Sequence, residues 1–245
     1  MGIVGAGRLG TAMAAALARA GVPVDGPAGR GEVPRGDVLL LCVPDAEIAA
    51  AAETVAGAAP FVGHTSGATP LGALGAAERA GAEVFGLHPL QTFPEGAGPD
   101  RFAGAGCAVA GSTPGGLAIA RDLAERLGMR PLELHDEGRA AYHAAASIAS
   151  NFLVTLESAA ERVAAGAGIE PGQARALLAP LVRTTVESWA ELGPHDALTG
   201  PIARGDETTV ARQREAVAEI EPELLDLFDA LVAQTRALAA AGAPA

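Results

Sequence analysis

Lysine is missing from this chain: all 17 basic residues among its 245 are arginine. No lysine can therefore serve as proton donor, general base or Schiff-base former. Aromatic residues are scarce at 3%, with one tryptophan, one tyrosine and six phenylalanines, so the core has to be built from Ala, Val and Leu. Apolar residues still reach 49%, enough for a chain of this length to bury a core without staples. The only cysteines, Cys42 and Cys107, lie in apolar runs and read as buried small hydrophobes rather than a disulfide, which suits a reducing compartment. A net charge of −12 argues against a nucleic-acid or acidic-membrane partner. No stretch has the ~18 consecutive apolar residues of a membrane span, and no basic segment precedes an apolar run at the N-terminus. The expectation is a cytoplasmic protein. The histidines do not fall at metal-ligand spacing, so no metal site is expected, and no G-x-S-x-G elbow is present.

The first half alternates strand-like and helix-like segments, the pattern of a parallel sheet with crossover helices. Strands are expected at Gly2–Val4, Val22–Val24, Asp37–Val43, Phe61–His64, Glu83–Leu87, Cys107–Ala110 and Arg130–Leu134. Helices are expected at Arg8–Ala20, Ala46–Ala56, Pro70–Ala80 and Pro114–Leu127, and a Pro- and Gly-rich loop over His88–Gly106. From Asp136 the strand pattern ends. Apolar residues recur at helical spacing over Glu137–Ala165, and further helices are expected at Pro171–Leu192, Glu207–Glu219 and Pro222–Ala241. Pro171 suits a first helical turn. This is an α/β fold with a mostly parallel sheet over 1–135, followed by an all-helical domain over 136–245, its tail from 239 to 245 frayed.

Gly5-Ala6-Gly7-Arg8-Leu9-Gly10 stands between the first strand and the first helix. In that context G-x-G-x-x-G is the dinucleotide-binding fingerprint of a Rossmann-type domain. Gly5 permits the tight turn, Gly7 lets a pyrophosphate approach backbone N–H groups, and Gly10 lets helix and strand pack closely. The helix N-terminus adds free N–H donors and partial positive charge. The choice of dinucleotide turns on the end of the second strand. Asp25 stands where an acidic residue holds a ribose 2′-hydroxyl. Arg30, five residues on, stands where a guanidinium pairs with a 2′-phosphate, with Arg8 able to assist. The balance favours NADP(H) over NAD(H). Val43 and Pro44 are expected to cover the adenosine or nicotinamide, and Asp45 to cap the next helix.

Three further segments offer chemistry. Thr65 and Ser66 follow a strand at its carboxyl edge, where they either bind a substrate carboxylate or the nicotinamide, or cap a helix. His88-Pro89-Leu90-Gln91-Thr92-Phe93 gathers a His, a Gln and a Thr at the start of the long loop. The helix opening the second domain carries Tyr142, His143, Ser147, Ser150 and Asn151; His143, Ser147 and Asn151 are spaced to share one face. That face either lines a ligand cleft or bonds to another helix. In a cleft, His143 donates a proton as hydride adds to a C=O or C=N group, and Asn151 orients that group.

A Rossmann domain followed by a helical domain resembles the 6-phosphogluconate dehydrogenase-like group, which includes 3-hydroxyacid dehydrogenases, pyrroline-5-carboxylate reductases and ketopantoate reductases. More closely, GAGRLG, HPLQTF, the YHAAASIASNF helix and the segment Leu198-Thr199-Gly200-Pro201-Ile202-Ala203-Arg204-Gly205-Asp206 resemble the Rossmann-like plus DUF2520 family over nearly the whole chain. The resemblance implies NAD(P)-dependent reduction and a homodimer formed through the helical domain. It also brings out a departure. The hydroxyacid and ketopantoate enzymes place a lysine one turn before an Asn on this helix; with Asn151 as that Asn, the lysine position falls on Ser147. The proton must then come from His88 or His143, or the substrate is an imine that needs less acid help. Arg204 either clamps a substrate carboxylate or pairs with Asp206. The expected catalytic residues are His88, His143 and Asn151, and the expected substrate-binding residues Ser66, Gln91, Ser147 and Arg204. Two functions fit: an NADP(H)-dependent reductase of a small carbonyl or imine compound, with ketopantoate one candidate by likeness, or a catalytically silent NADP(H)-binding sensor or scaffold.

Overall fold

The computed structural model describes residues 1–241. It divides into two compact units, Met1–Ser150 and Asn151–Ala245. The sequence sets its boundary earlier, at 135/136, where strand patterning stops.

The first unit is built on a seven-stranded sheet. In chain order its strands are β1 (Gly2–Val4), β2 (Asp25–Ala28), β3 (Val38–Leu41), β4 (Phe61–His64), β5 (Glu83–Leu90), β6 (Gly106–Gly111) and β7 (Arg130–Glu133). They lie in the order β2-β1-β3-β4-β5-β6-β7. The first five run parallel, β6 runs against β5, and β7 follows β6. The central strands are buried on both faces, which is why they read as unbroken apolar runs. Alternate residues go to opposite sides: Ile3, Leu40, Phe85 and Leu87 join one core, and Val4, Leu39, Leu41, Val62 and Val84 the other. Helices α1 (Arg8–Arg19) and α4 (Pro114–Arg126) supply Met13, Leu17 and Leu123 to the first. Helices α2 (Ile48–Thr54) and α3 (Gly75–Arg79) supply Ile48, Ala52 and Ala77 to the second. Cys42 and Cys107 are buried and unpaired.

The structure corrects several boundaries. The second strand is Asp25–Ala28, not Val22–Val24. Pro23 has no N–H for a ladder, and the pairing with β1 begins at Asp25, whose amide bonds the Met1 carbonyl at 2.9 Å. Val22 and Val24 pack on the core from a loop. The fifth strand does not stop at Leu87; pairing with β6 draws His88, Pro89 and Leu90 into it. Asp45 opens a short 3-10 turn, Asp45–Glu47, and makes no capping bond. The single helix expected over Glu137–Ala165 is instead a 3-10 turn, α5 (Arg139–Ser147), a π turn (Ile148–Phe152) and α6 (Leu153–Gly166).

The second unit is helical, as expected. Its remaining helices are α7 (Pro171–Asp196), α8 (Glu207–Ile220) and α9 (Leu225–Ala241). Pro171 lies in the first turn of α7, and α7 kinks at Gly193, where φ is +81°. Arg175 holds Glu161 through two hydrogen bonds of 2.7 and 2.8 Å, tying α7 to α6. Arg214 does the same to Asp229, tying α8 to α9. Of the tail expected to fray, 239–241 are helical and the rest lies outside the described residues.

Candidate active site

The chain runs from β1 outward to β2 and then back across to β3, so its direction along the sheet reverses beside β1. Ligands of open α/β sheets bind at the carboxyl ends of the strands flanking such a reversal. A cavity of about 320 Å³ lies there, lined by Gly5 and Gly7 after β1, Arg30 after β2, and Val43 and Pro44 after β3. These residues, which span positions 5 to 44 of the sequence, are brought together by the sheet. Gly5 has φ +104°, and a Cβ there would overlap the Cys42 carbonyl. A Cβ on Gly10 would overlap the Gly5 carbonyl oxygen, which is the close helix–strand packing expected of the third glycine. A Cβ on Gly7 would meet nothing within 4 Å, so its backbone faces open space. Gly7 also sits at the N-terminus of α1 with no side-chain cap on the free amides. These features fit a dinucleotide pyrophosphate. Arg8 is exposed, and Leu9 and Gly10 pack inward rather than lining the cavity.

The shift of β2 settles where Asp25 stands. It opens the strand, at the end away from the cavity, and accepts the Arg35 amide at 2.7 Å. Arg30 is the residue that follows the carboxyl end. It is 86% exposed and pairs with Glu47 at 3.2 Å. Glu32, also lining the cavity, accepts the Gly29 amide at 2.8 Å. Sequence reasoning missed both glutamates, since neither belongs to the fingerprint.

A second cluster lies on one face of the sheet. His64 on β4 pairs in register with Gly86 on β5, and His88 follows Gly86 on the same face. Across β5, Ala108 and Ala110 of β6 stand beside His88 and Gly86. These small residues leave room for α5. Arg139, 3% exposed, places Nη2 about 3.2 Å from where a Gly86 Cβ would be. One turn on, Tyr142 bonds His88 Nδ1 through its hydroxyl at 2.8 Å, with the two rings edge to face. Gly67 makes room for the His88 ring: a Cβ there would lie 2.8 Å from it.

Burial dominates the electrostatics of this face. It pushes His88 down to about 4, helped by the neighbouring His143 and against the pull of Asp45. It pushes His64 down to about 4 as well, with Arg139 adding to the shift. Burial also pushes the Tyr142 phenol up to about 12. Both imidazoles are therefore neutral, and the phenol keeps its proton, near pH 7. His64 Nδ1 accepts the Ser66 amide at 3.2 Å. Its Nε2 and Arg139 Nη2 are buried without a hydrogen-bond partner among the described residues. Arg139 Nε holds Asp136 at 2.6 Å. Nothing in the sequence reading singled out Arg139; its neighbours are small and it belongs to no motif.

The remaining candidates scatter. Ser66 is buried, but its hydroxyl accepts the Ala68 and Thr69 amides at 3.2 and 2.9 Å and bonds the Thr69 hydroxyl, closing a turn. Gln91 is exposed, and its side chain accepts the amide of Thr92. His143 is exposed and Ser147 half-buried, four residues apart on α5. Spacing at 3.6 residues per turn does not carry across the π turn, where exposed Asn151 lies. Arg204 is exposed in the second unit. The alternative pairing of Arg204 with Asp206 is not formed: Asp206 caps α8 instead, accepting the Thr209 amide and hydroxyl at 3.1 and 2.6 Å.

Among the described residues, no helix is long and apolar enough to cross a membrane. Curated proteins provide no match to this chain. Solved structures do, at low identity. A Thermotoga maritima protein superposes with a TM-score of 0.78 at 22% identity, each chain covering 98%. A Plasmodium falciparum pyrroline carboxylate reductase with NADP bound does so with a TM-score of 0.62 at 12% identity, 97% of each chain covered. A reductive aminase from Aspergillus terreus, in complex with NADPH and ethyl-5-oxohexanoate, gives 0.59 at 20%, with 96% of this chain and 94% of that one covered. At these identities the likeness is one of fold. The family model described as a domain of unknown function, DUF2520, matches residues 105–235, more than half of the chain. The chain belongs to the DUF2520 family.

Proposed function

We propose that this protein is an NADP(H)-dependent reductase of a small carbonyl or imine compound. The observation that carries the reading is the cavity at the strand reversal, where the open backbone at Gly7, the uncapped start of α1 and Arg30 converge. In it, Gly5 and Gly7 hold the pyrophosphate through backbone N–H groups, Arg30 leaves Glu47 to pair with the 2′-phosphate, and Val43 and Pro44 cover the rings. Bound there, the cofactor supplies hydride. Neighbours of the same fold are described with NADP or NADPH bound, which supports that choice of nucleotide.

His88 is the proposed catalytic residue of the first unit, with His143 near it on α5. Ser147 and Gln91 are proposed to contact the substrate, and Ser66 to shape the turn closed by its hydroxyl. Because His88 is neutral near pH 7, it enters the reaction as a neutral imidazole rather than an imidazolium. The fold neighbours described as a pyrroline carboxylate reductase and a reductive aminase support an imine as substrate.

We further propose a cytoplasmic homodimer. Leu177, Leu181 and Trp189 recur at four- and eight-residue steps along α7, and Leu192 follows; all are more than half exposed. Apolar exposure on that scale marks an interface.

The deciding experiment is titration with NADPH and NADH, followed by turnover of 2-oxoacids and cyclic imines. NADPH binding with reduction of one substrate class supports the reading. Failure to bind either nucleotide overturns it, and binding without turnover of any substrate favours a nucleotide sensor.

A further inference from the structure

We infer that Tyr142 and His88 form a two-residue proton relay in which Tyr142 fixes the proton of His88 on Nε2 and replaces it as it leaves. The inference rests on the reductase reading for its purpose, but its geometry stands alone. Tyr142 Oη and His88 Nδ1 are 2.8 Å apart, so one of them donates to the other. A phenol is a stronger acid than a neutral imidazole N–H, and an imidazole nitrogen a stronger base than a phenol oxygen. The favoured arrangement is O–H···N, with Tyr142 donating. The remaining ring proton of a neutral His88 is then on Nε2.

Two features hold the pair in this state. The His88 ring is seated against Gly67, where any side chain would displace it. Arg139, one turn before Tyr142, brings a buried guanidinium onto the same face through the space left at Gly86. Burial comes first in keeping the His88 ring to one proton and the Tyr142 phenol protonated; Arg139 adds to the former and only partly offsets the latter. The charged and titratable groups acting on His88 are Arg139 and His143 on α5 and Asp45 beyond β3; of these only Asp45 favours the imidazolium.

The proton balance is simple. As the carbon of a C=O or C=N substrate is reduced, its heteroatom gains a negative charge. The Nε2–H bond breaks and a heteroatom–H bond forms. The phenol O–H bond breaks and an Nδ1–H bond forms. Tyr142 is left as phenolate and regains its proton from solvent before the next turnover. His88 is the catalytic residue, and Tyr142 a positioning residue acting through it. The pair does the work that a lysine would do, in a chain that has none.

The test is long-range proton–nitrogen NMR on the ¹⁵N-labelled full chain, with His88 assigned by its loss in His88→Asn. The expected spectrum shows an unprotonated Nδ1 and a protonated Nε2, with the ring staying neutral from pH 8 to 5. Tyr142→Phe is expected to give a mixture of tautomers and to lower kcat on any substrate at least 10-fold while leaving Kd for NADPH unchanged. A ring protonated on Nδ1, an imidazolium at pH 7, or tautomers unchanged in Tyr142→Phe would each overturn the relay. Should the variant fail to fold, the wild-type spectrum decides alone. Because the spectrum is taken without nucleotide, a failed relay and a failed reductase assignment are separate results.

Discussion

Arg30 is one guanidinium paired with Glu47, while the neighbouring Glu32 is taken up by the Gly29 amide, and that setting governs how a 2′-phosphate could be recognised. To engage a phosphate it must give up Glu47, at a separation of 3.2 Å and largely in solvent. An exposed ion pair of this kind contributes little, so the exchange is open to it. Arg30→Ala is expected to raise KM for NADPH about 10-fold, the low end for a charge-assisted contact, with much less change for NADH. Equal effects on both would remove the assignment. Glu47→Gln frees the arginine and should shift KM for NADPH the other way. Much of this end was legible in the sequence, since Gly5, Gly7, Arg30, Val43 and Pro44 all line one cavity. Asp25 was misread because its place depends on where the strand begins, and Pro23 moves that start by three residues. Glu32 and Glu47 were not legible, because their position follows from the packing of separate loops.

At the scale of elements, the face that carries His88 is governed by what β5 and β6 leave empty. Gly86, Ala108 and Ala110 form a shallow floor, and α5 lays Arg139 and Tyr142 into it. Gly67→Ala should push the His88 ring by a few tenths of an ångström. The expected result is a loss of kcat of about 10-fold, since small displacements of a catalytic group are costly, with nucleotide affinity unchanged by fluorescence titration. Gly10→Ala acts at the other end. Its Cβ collides with backbone, so the variant should lose nucleotide binding and about 1–3 kcal/mol of stability. The strands and helices of the first unit were recoverable from period and punctuation. The extension of β5 through Pro89 was not, because pairing with β6, not local propensity, draws those residues in. Nor was the π turn, since apolar spacing does not register one inserted residue.

For the molecule as a whole, His64 and His88 tie stability to pH. Both are neutral when folded, with burial holding each near 4, whereas an unfolded chain protonates them near 6.5. Between those values the unfolded state binds more protons, so their contribution is complete above about pH 6.5 and is lost as pH falls toward 4. The loss is on the order of 2–3 kcal/mol for each ring. Urea denaturation at pH 7 and pH 5 should show it, and His64→Asn should make the pH dependence shallower. Assembly is testable separately. Leu181→Glu puts a charge in the exposed apolar stripe of α7, and light scattering should find it monomeric with unchanged helix content. A monomeric parent chain would dispose of the dimer.

Because β6 runs backwards and β7 follows it, the chain leaves β7 at the edge opposite the nucleotide cavity, and α5 has to climb back along the face. Its faces differ in solvent access: Arg139 is sealed and Tyr142 half-buried, while Ala140, Ala141 and His143 are exposed. The face a residue takes on this one helix thus sets its access to solvent. An engineer seeking a different substrate or pH range could rewrite two turns of that helix and leave the nucleotide pocket as it stands.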